Sequence, residues 1–134
     1  MKKWPDHFPE QCPPGCAEPV SGKVYRFINR ANPKEKDFKS FFELKPDQDW
    51  GEKACQARGL SVYKNKNACE QMVDLVPALA KKKLAVAELN SNDGVIAETP
   101  SRNSNEHNTL WSSVDKKEMA DKFTCLENEV ALNA

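Results

Sequence analysis

Arg26 is the first residue whose type and setting call for a chemical explanation. Residues 22–30 alternate, with Val24, Arg26 and Ile28 on one side and Tyr25, Phe27 and Asn29 on the other, which predicts a strand. A permanent charge beside two aliphatic side chains is costly unless it meets a carboxylate, a phosphate or solvent beyond the sheet edge. Asp37 and Glu43 are the expected partners, because Phe38, Phe41 and Phe42 should draw that segment inward toward the core.

The thiols and imidazoles come next. His7, Cys12 and Cys16 are zinc-ligand types at finger-like spacing, but no matching second pair follows. Cys55, Cys69, His107 and Cys125 are scattered, and Cys69 falls on the apolar stripe of a predicted helix. Five cysteines are an odd number without framework spacing, so reduced thiols and no metal are expected. His107 stands in a polar, loop-like stretch where the sequence defines no nucleophile, base or orienting partner for it.

Residues 59–100 should build the core that positions these groups. Leu60, Val62 and Tyr63 predict a strand, and Asn67 with Glu70 gives a helix-start signature. Cys69, Met72, Val73, Val76 and Ala80 then recur at helical spacing, with Pro77 forcing a kink or a restart. Residues 84–89 read as an interior strand, and the turn-forming residues 90–94 should fold 95–97 back onto it as a hairpin.

On either side, residues 1–21 read as a proline-rich extended arm anchored by Trp4 and Phe8, and residues 50–58 as two helical turns stopped by a left-handed Gly59. Residues 109–112 predict another short strand. Asp115 with Glu118 opens a helix through Phe123, and residues 126–134 form a tail. Together these elements predict one α+β domain over residues 22–125, with a small mixed or antiparallel sheet and two or three helices.

Twenty basic and twenty acidic side chains cancel, and the sequence pI is near 6.7. That balance argues against a general nucleic-acid or anionic-membrane binder and leaves room for local basic patches. No apolar run approaches the roughly 20 residues of a membrane helix, and the N-terminus lacks the order of a secretory signal, so a cytoplasmic location is expected. The aromatic arm and the cleft beside the first strand point to a binding or accessory module without catalysis, with a protein as partner.

Tyr25-Arg26 on an early strand, residues 59–63 leading into a helix, and residues 84–89 followed by an Asp-Gly turn are similar in order to the core of ADP-ribosyltransferase-like domains. The likeness is to small bacterial rifampin-type transferases and related RNA phosphotransferases, over roughly residues 22–100. The Cys12-Pro13-Pro14 and Asp37-Phe38 segments also resemble small bacterial proteins. The resemblance implies an NAD-using transferase as the alternative function, with Arg26, Ser61 and Tyr63 holding the nucleotide. Arg26, Tyr63 and a carboxylate would then carry the chemistry, with Glu98 the first candidate for the carboxylate beside Glu88, Asp93 and Glu106.

Overall fold

The computed structural model describes residues 4–126 and shows an α+β domain with one antiparallel sheet. Its strands are β1 (Glu18–Pro19), β2 (Gly22–Ile28), β3 (Leu60–Tyr63), β4 (Lys83–Leu89), β5 (Gly94–Glu98), β6 (His107–Ser112) and β7 (Thr124–Cys125). They lie in the order β1-β5-β6-β3-β2-β4-β7. The helices are α1 (Phe41–Leu44), α2 (Lys66–Leu75) and α3 (Lys116–Lys122).

The two-residue period of the strands sorts the apolar side chains onto two faces. Val24, Ile28, Leu60, Val62, Ala85, Ala87, Ile96 and Leu110 pack with Phe38 and with Met119, Ala120 and Phe123 from α3 and its end. On the opposite face, Tyr63 with half-buried Tyr25, Phe27 and Leu84 receives Ala68, Cys69 and Met72 of α2. The apolar stripe of α2 is therefore the face that covers the sheet.

The start of α2 lies before the expected Asn67. Asn65, in extended conformation, accepts a hydrogen bond from the Ala68 amide at 2.7 Å and is the cap. The helix stops at Leu75, and Pro77 opens a separate 3-10 turn, Pro77–Lys81, in the position where its missing N–H is not needed. Asp115 caps α3 through the Glu118 amide, as expected.

The expected hairpin does not form. β4 pairs with β2 from Gly22↔Leu89 to Ile28↔Lys83 and with β7 on its other edge, while β5 pairs with β1 and β6. An interior strand has two edges, and both are taken. Residues 90–93 instead carry the chain across to β5, with Asp93 accepting from the Asn90 amide and pairing with Lys122. Gly94 then packs on β6 so tightly that an added Cβ would lie 2.3 Å from the Trp111 carbonyl oxygen.

Gly59 also differs from expectation, because its backbone is extended rather than left-handed. What it supplies is space: an added Cβ would lie 2.3 Å from Thr109 Cγ2. The two turns before it are 3-10, Gly51–Lys53 and Gln56–Arg58. Of the three neighbouring phenylalanines only Phe38 reaches the core. Phe42 lies under the Arg58 guanidinium at 3.7 Å from its ring centroid, and Phe41 remains about half exposed.

The cysteine expectation is overturned for one pair. Cys12 and Cys55 form a disulfide, while Cys16, Cys69 and Cys125 are free thiols. Sequence spacing could not reveal the pair, because the sheet brings the arm against the 3-10 turns. The arm is further pinned by β1 and by stacking of His7 on Phe42, with ring centroids 4.8 Å apart. The tail beyond residue 126 lies outside the described residues, and among those described no helix is long and apolar enough to cross a membrane.

The disulfide closes a loop across a sequence separation of 43. Loop-closure entropy of that length corresponds to about 4 kcal/mol in the chain-entropy account. Replacing Cys12 and Cys55 together by Ser should lower unfolding free energy by up to that amount in urea titrations. An unchanged denaturation midpoint would show that the bond does not constrain the unfolded chain.

Candidate functional site

β3 and β6 pair with Ser61 opposite Thr109 and Tyr63 opposite His107, which places all four side chains on the α2 face. His107 thus belongs to a strand rather than to the polar loop expected for it. Its Nε2 lies 2.9 Å from Ser61 Oγ. Its Nδ1 lies 2.9 Å from the Thr99 carbonyl oxygen and 2.9 Å from Thr99 Oγ1, which in turn is 2.8 Å from Thr109 Oγ1.

The carbonyl contact selects the tautomer of the neutral ring, while the Thr99–Thr109 hydroxyl pair can donate in either direction. A carbonyl oxygen only accepts, so Nδ1 of the neutral ring carries the hydrogen and donates it to Thr99. Nε2 is then the acceptor, and the Ser61 hydroxyl must donate to it. Burial holds His107 below its ordinary pKa, partly offset by the Thr99 hydrogen bond and reinforced by Lys53. The Tyr63 ring meets the imidazole edge-on at 5.6 Å, and burial raises the Tyr63 phenol, keeping it protonated.

Arg26 enters the same region from the other side of the backbone. β2 pairs with β3 only at Tyr25↔Tyr63, and beyond that point Arg26 fills the role of the ladder. Its Nη1 donates to the Ser61 carbonyl at 2.9 Å, while Nη2 and Nε donate to the Asp37 carbonyl at 2.9 and 3.2 Å. The expected partner residue Asp37 is present, but through its backbone oxygen. Its carboxylate accepts from the Asn29 and Lys34 amides and pairs with Arg30, and Glu43 pairs with Lys116. Desolvation pulls the Arg26 guanidinium down to about 10, opposed by Asp37, and it stays charged at neutral pH.

Two adjoining cavities, about 600 and 490 Å³, share Phe41, Leu44, Ser61 and His107 as lining residues. The first adds Trp50, Lys45, Lys53 and Gln56; the second adds Arg26, Tyr63, Lys36, Lys39 and Lys82. Asp37 is the sole carboxylate residue on either lining, and its oxygens are already engaged. Trp50 Nε1 is a buried donor with no partner among the described residues. The cleft is therefore cationic, partly aromatic, and centred on a serine hydroxyl held by a neutral histidine.

Of the residues expected from sequence, Arg26, Ser61 and Tyr63 come together here. Glu98 does not join them: it is exposed at the end of β5, opposite Asn108, and lines neither cavity. Sequence reading missed His107, Thr99 and Trp50 as members. The alternation of β6 would place His107 and Thr109 on one face, but nothing local names Ser61 as their neighbour. Among the described residues no group of three or more His, Cys, Asp or Glu side chains is arranged to hold a metal ion. Comparison with protein-family models, curated proteins and solved structures gave no match.

Removing the Arg26 side chain leaves the Ser61 and Asp37 carbonyls without these donors. Arg26→Ala should lower stability by about 2–6 kcal/mol, at about 1–3 kcal/mol per unsatisfied buried group, and Arg26→Lys should not restore it because an ammonium lacks the fork. Chemical denaturation of both variants checks this. Unchanged stability would reassign Arg26 to ligand contact alone.

Burial holds folded His107 below the ordinary imidazole value of about 6.5, so the unfolded chain binds the proton more readily. Its contribution to stability is present above about pH 6.5 and is lost as pH falls through the lower folded value. Unfolding free energies between pH 7.5 and 5 should therefore decline more steeply for the wild type than for His107→Gln. Equal slopes would contradict a neutral, buried His107.

Proposed function

We propose that the chain is a binding module whose cleft takes a small anionic ligand carrying a flat ring, with a nucleotide as the class that fits best. The supporting observation is the convergence of Arg26, Ser61, Tyr63 and His107 on a cleft with five lysines and no disengaged carboxylate on its lining. Lysines and spare guanidinium N–H groups suit phosphate oxygens, and Phe41, Trp50 and Tyr63 offer ring faces and edges.

The NAD-dependent transferase alternative has less support, because Glu98 stands outside the cleft and no other lining carboxylate is disengaged. A protein partner engaging the arm has less support as well, since Trp4, His7 and Phe8 stack with one another and with Phe42. The cytoplasmic location expected from sequence sits poorly with the Cys12–Cys55 bond, which an oxidising compartment sustains.

Thermal unfolding with ADP, ATP, NAD and adenosine tests the reading. A ligand that binds only the folded state raises the midpoint as its concentration passes Kd. The phosphorylated ligands should raise it, adenosine should do so less, and added salt should weaken the phosphate-dependent part. No shift with any of the phosphorylated ligands at millimolar concentration would remove the proposal.

A further inference from the structure

We propose that Ser61 is an activated nucleophile and that the cleft hydrolyses carboxylic esters whose acid or alcohol half carries the negative charge. This inference rests on the anionic-ligand reading and goes beyond it by giving the cleft a reaction. Its basis is the directed chain from the Ser61 hydroxyl to His107 Nε2 and from His107 Nδ1–H to the Thr99 carbonyl, each link 2.9 Å. A nucleophile within reach of a base, with the base aimed by a third group, is the arrangement that acyl transfer needs.

A hydroxyl that met His107 only in a packed core would have nowhere to react. Ser61 is instead half-buried and forms part of the wall shared by both cavities. The histidine is neutral at pH 7 and so able to take a proton. Thr99 is a positioning residue: its carbonyl selects the tautomer and can stabilise the imidazolium once formed. Gln56, which also lines the first cavity, carries an amide donor of the kind a developing oxyanion requires.

In the first step the Ser61 Oγ–carbon bond forms as the hydroxyl proton passes to His107 Nε2. Collapse of the tetrahedral adduct breaks the ester C–O bond, and the departing alkoxide takes that proton and leaves as the alcohol. Water then attacks the acyl-serine and gives a proton to Nε2, which returns it to Ser61 Oγ as the carboxylic acid departs. No redox change occurs, and water is the single co-reactant.

The experiment uses the full chain with its disulfide intact. A neutral alkyl fluorophosphonate should add once, with peptide mapping placing the adduct on Ser61, and Ser61→Ala should lose it. His107→Gln should label about 100-fold more slowly, the lower end for loss of a general base. In parallel, the monoester of glutaric acid with 4-nitrophenol should be hydrolysed by the wild type and at the buffer rate with Ser61→Ala. No adduct on the wild type, an adduct elsewhere, or an unchanged rate in His107→Gln would overturn the inference.

Because the wild-type map is decisive alone, a variant that fails to fold does not rescue the idea. ADP binding measured on the same preparations separates the two readings. Retained binding without labelling leaves the binding module standing and removes the nucleophile.

Discussion

Arg26 is the interaction on which the middle of the sheet depends. β2 and β3 share one registered pair, and past it the Ser61 carbonyl would face a gap without a backbone donor. The guanidinium closes that gap and at the same time holds the Asp37 carbonyl of the turn Glu35–Phe38. Its plane also lies near the Phe38 ring, 5.5 Å from the centroid. Burying a cation is costly, but three charge-assisted bonds to carbonyls compensate where a carboxylate would add a second buried charge.

The carbonyl held by Arg26 and the hydroxyl that meets His107 belong to the same residue. With its carbonyl fixed by Arg26 and its neighbours paired to β6, Ser61 presents Oγ on the face where His107 stands. The imidazole is fixed in turn by a backbone carbonyl rather than by a carboxylate. A carbonyl orients the ring without adding negative charge, so burial still keeps the ring neutral. The acceptor at Nε2 is the product of that choice.

What the sequence made legible was local. Alternation over residues 22–30, the interior character of residues 84–89 and the Asp115 cap each depend on neighbours within a few positions. What failed was the choice of distant partners. An Asp-Gly turn signals reversal of the chain but not which strand lies alongside, and β4 already had β2 and β7. Cys12 and Cys55 meet because the arm ahead of β1 lies against the 3-10 turns, and no spacing rule sees that. Arg26 stood out as a charge among aliphatics, and its grouping with Ser61 and Tyr63 came through a resemblance in element order, whereas His107 and Thr99 needed the register of β6 against β3 and the chain leaving β5.

The balanced overall charge is equally uninformative about the cleft, for the same reason. Carboxylates elsewhere are spent on caps and surface pairs, as with Glu43 on Ser40 and Lys116 or Asp115 on the start of α3. The cleft lining keeps the lysines. Its aromatic wall, residues 50–58, has only 3-10 turns of its own and would be mobile if held by those alone. Two tethers at Cys55 prevent that: the disulfide to Cys12, and the Cys55 carbonyl accepting from Trp111 Nε1 at 2.9 Å. Cys55 therefore couples the arm and β6 to the segment bearing Trp50, Lys53 and Gln56. The covalent bond stabilises the fold and, through that segment, holds the part of the cavity lining that Trp50, Lys53 and Gln56 share with Ser61.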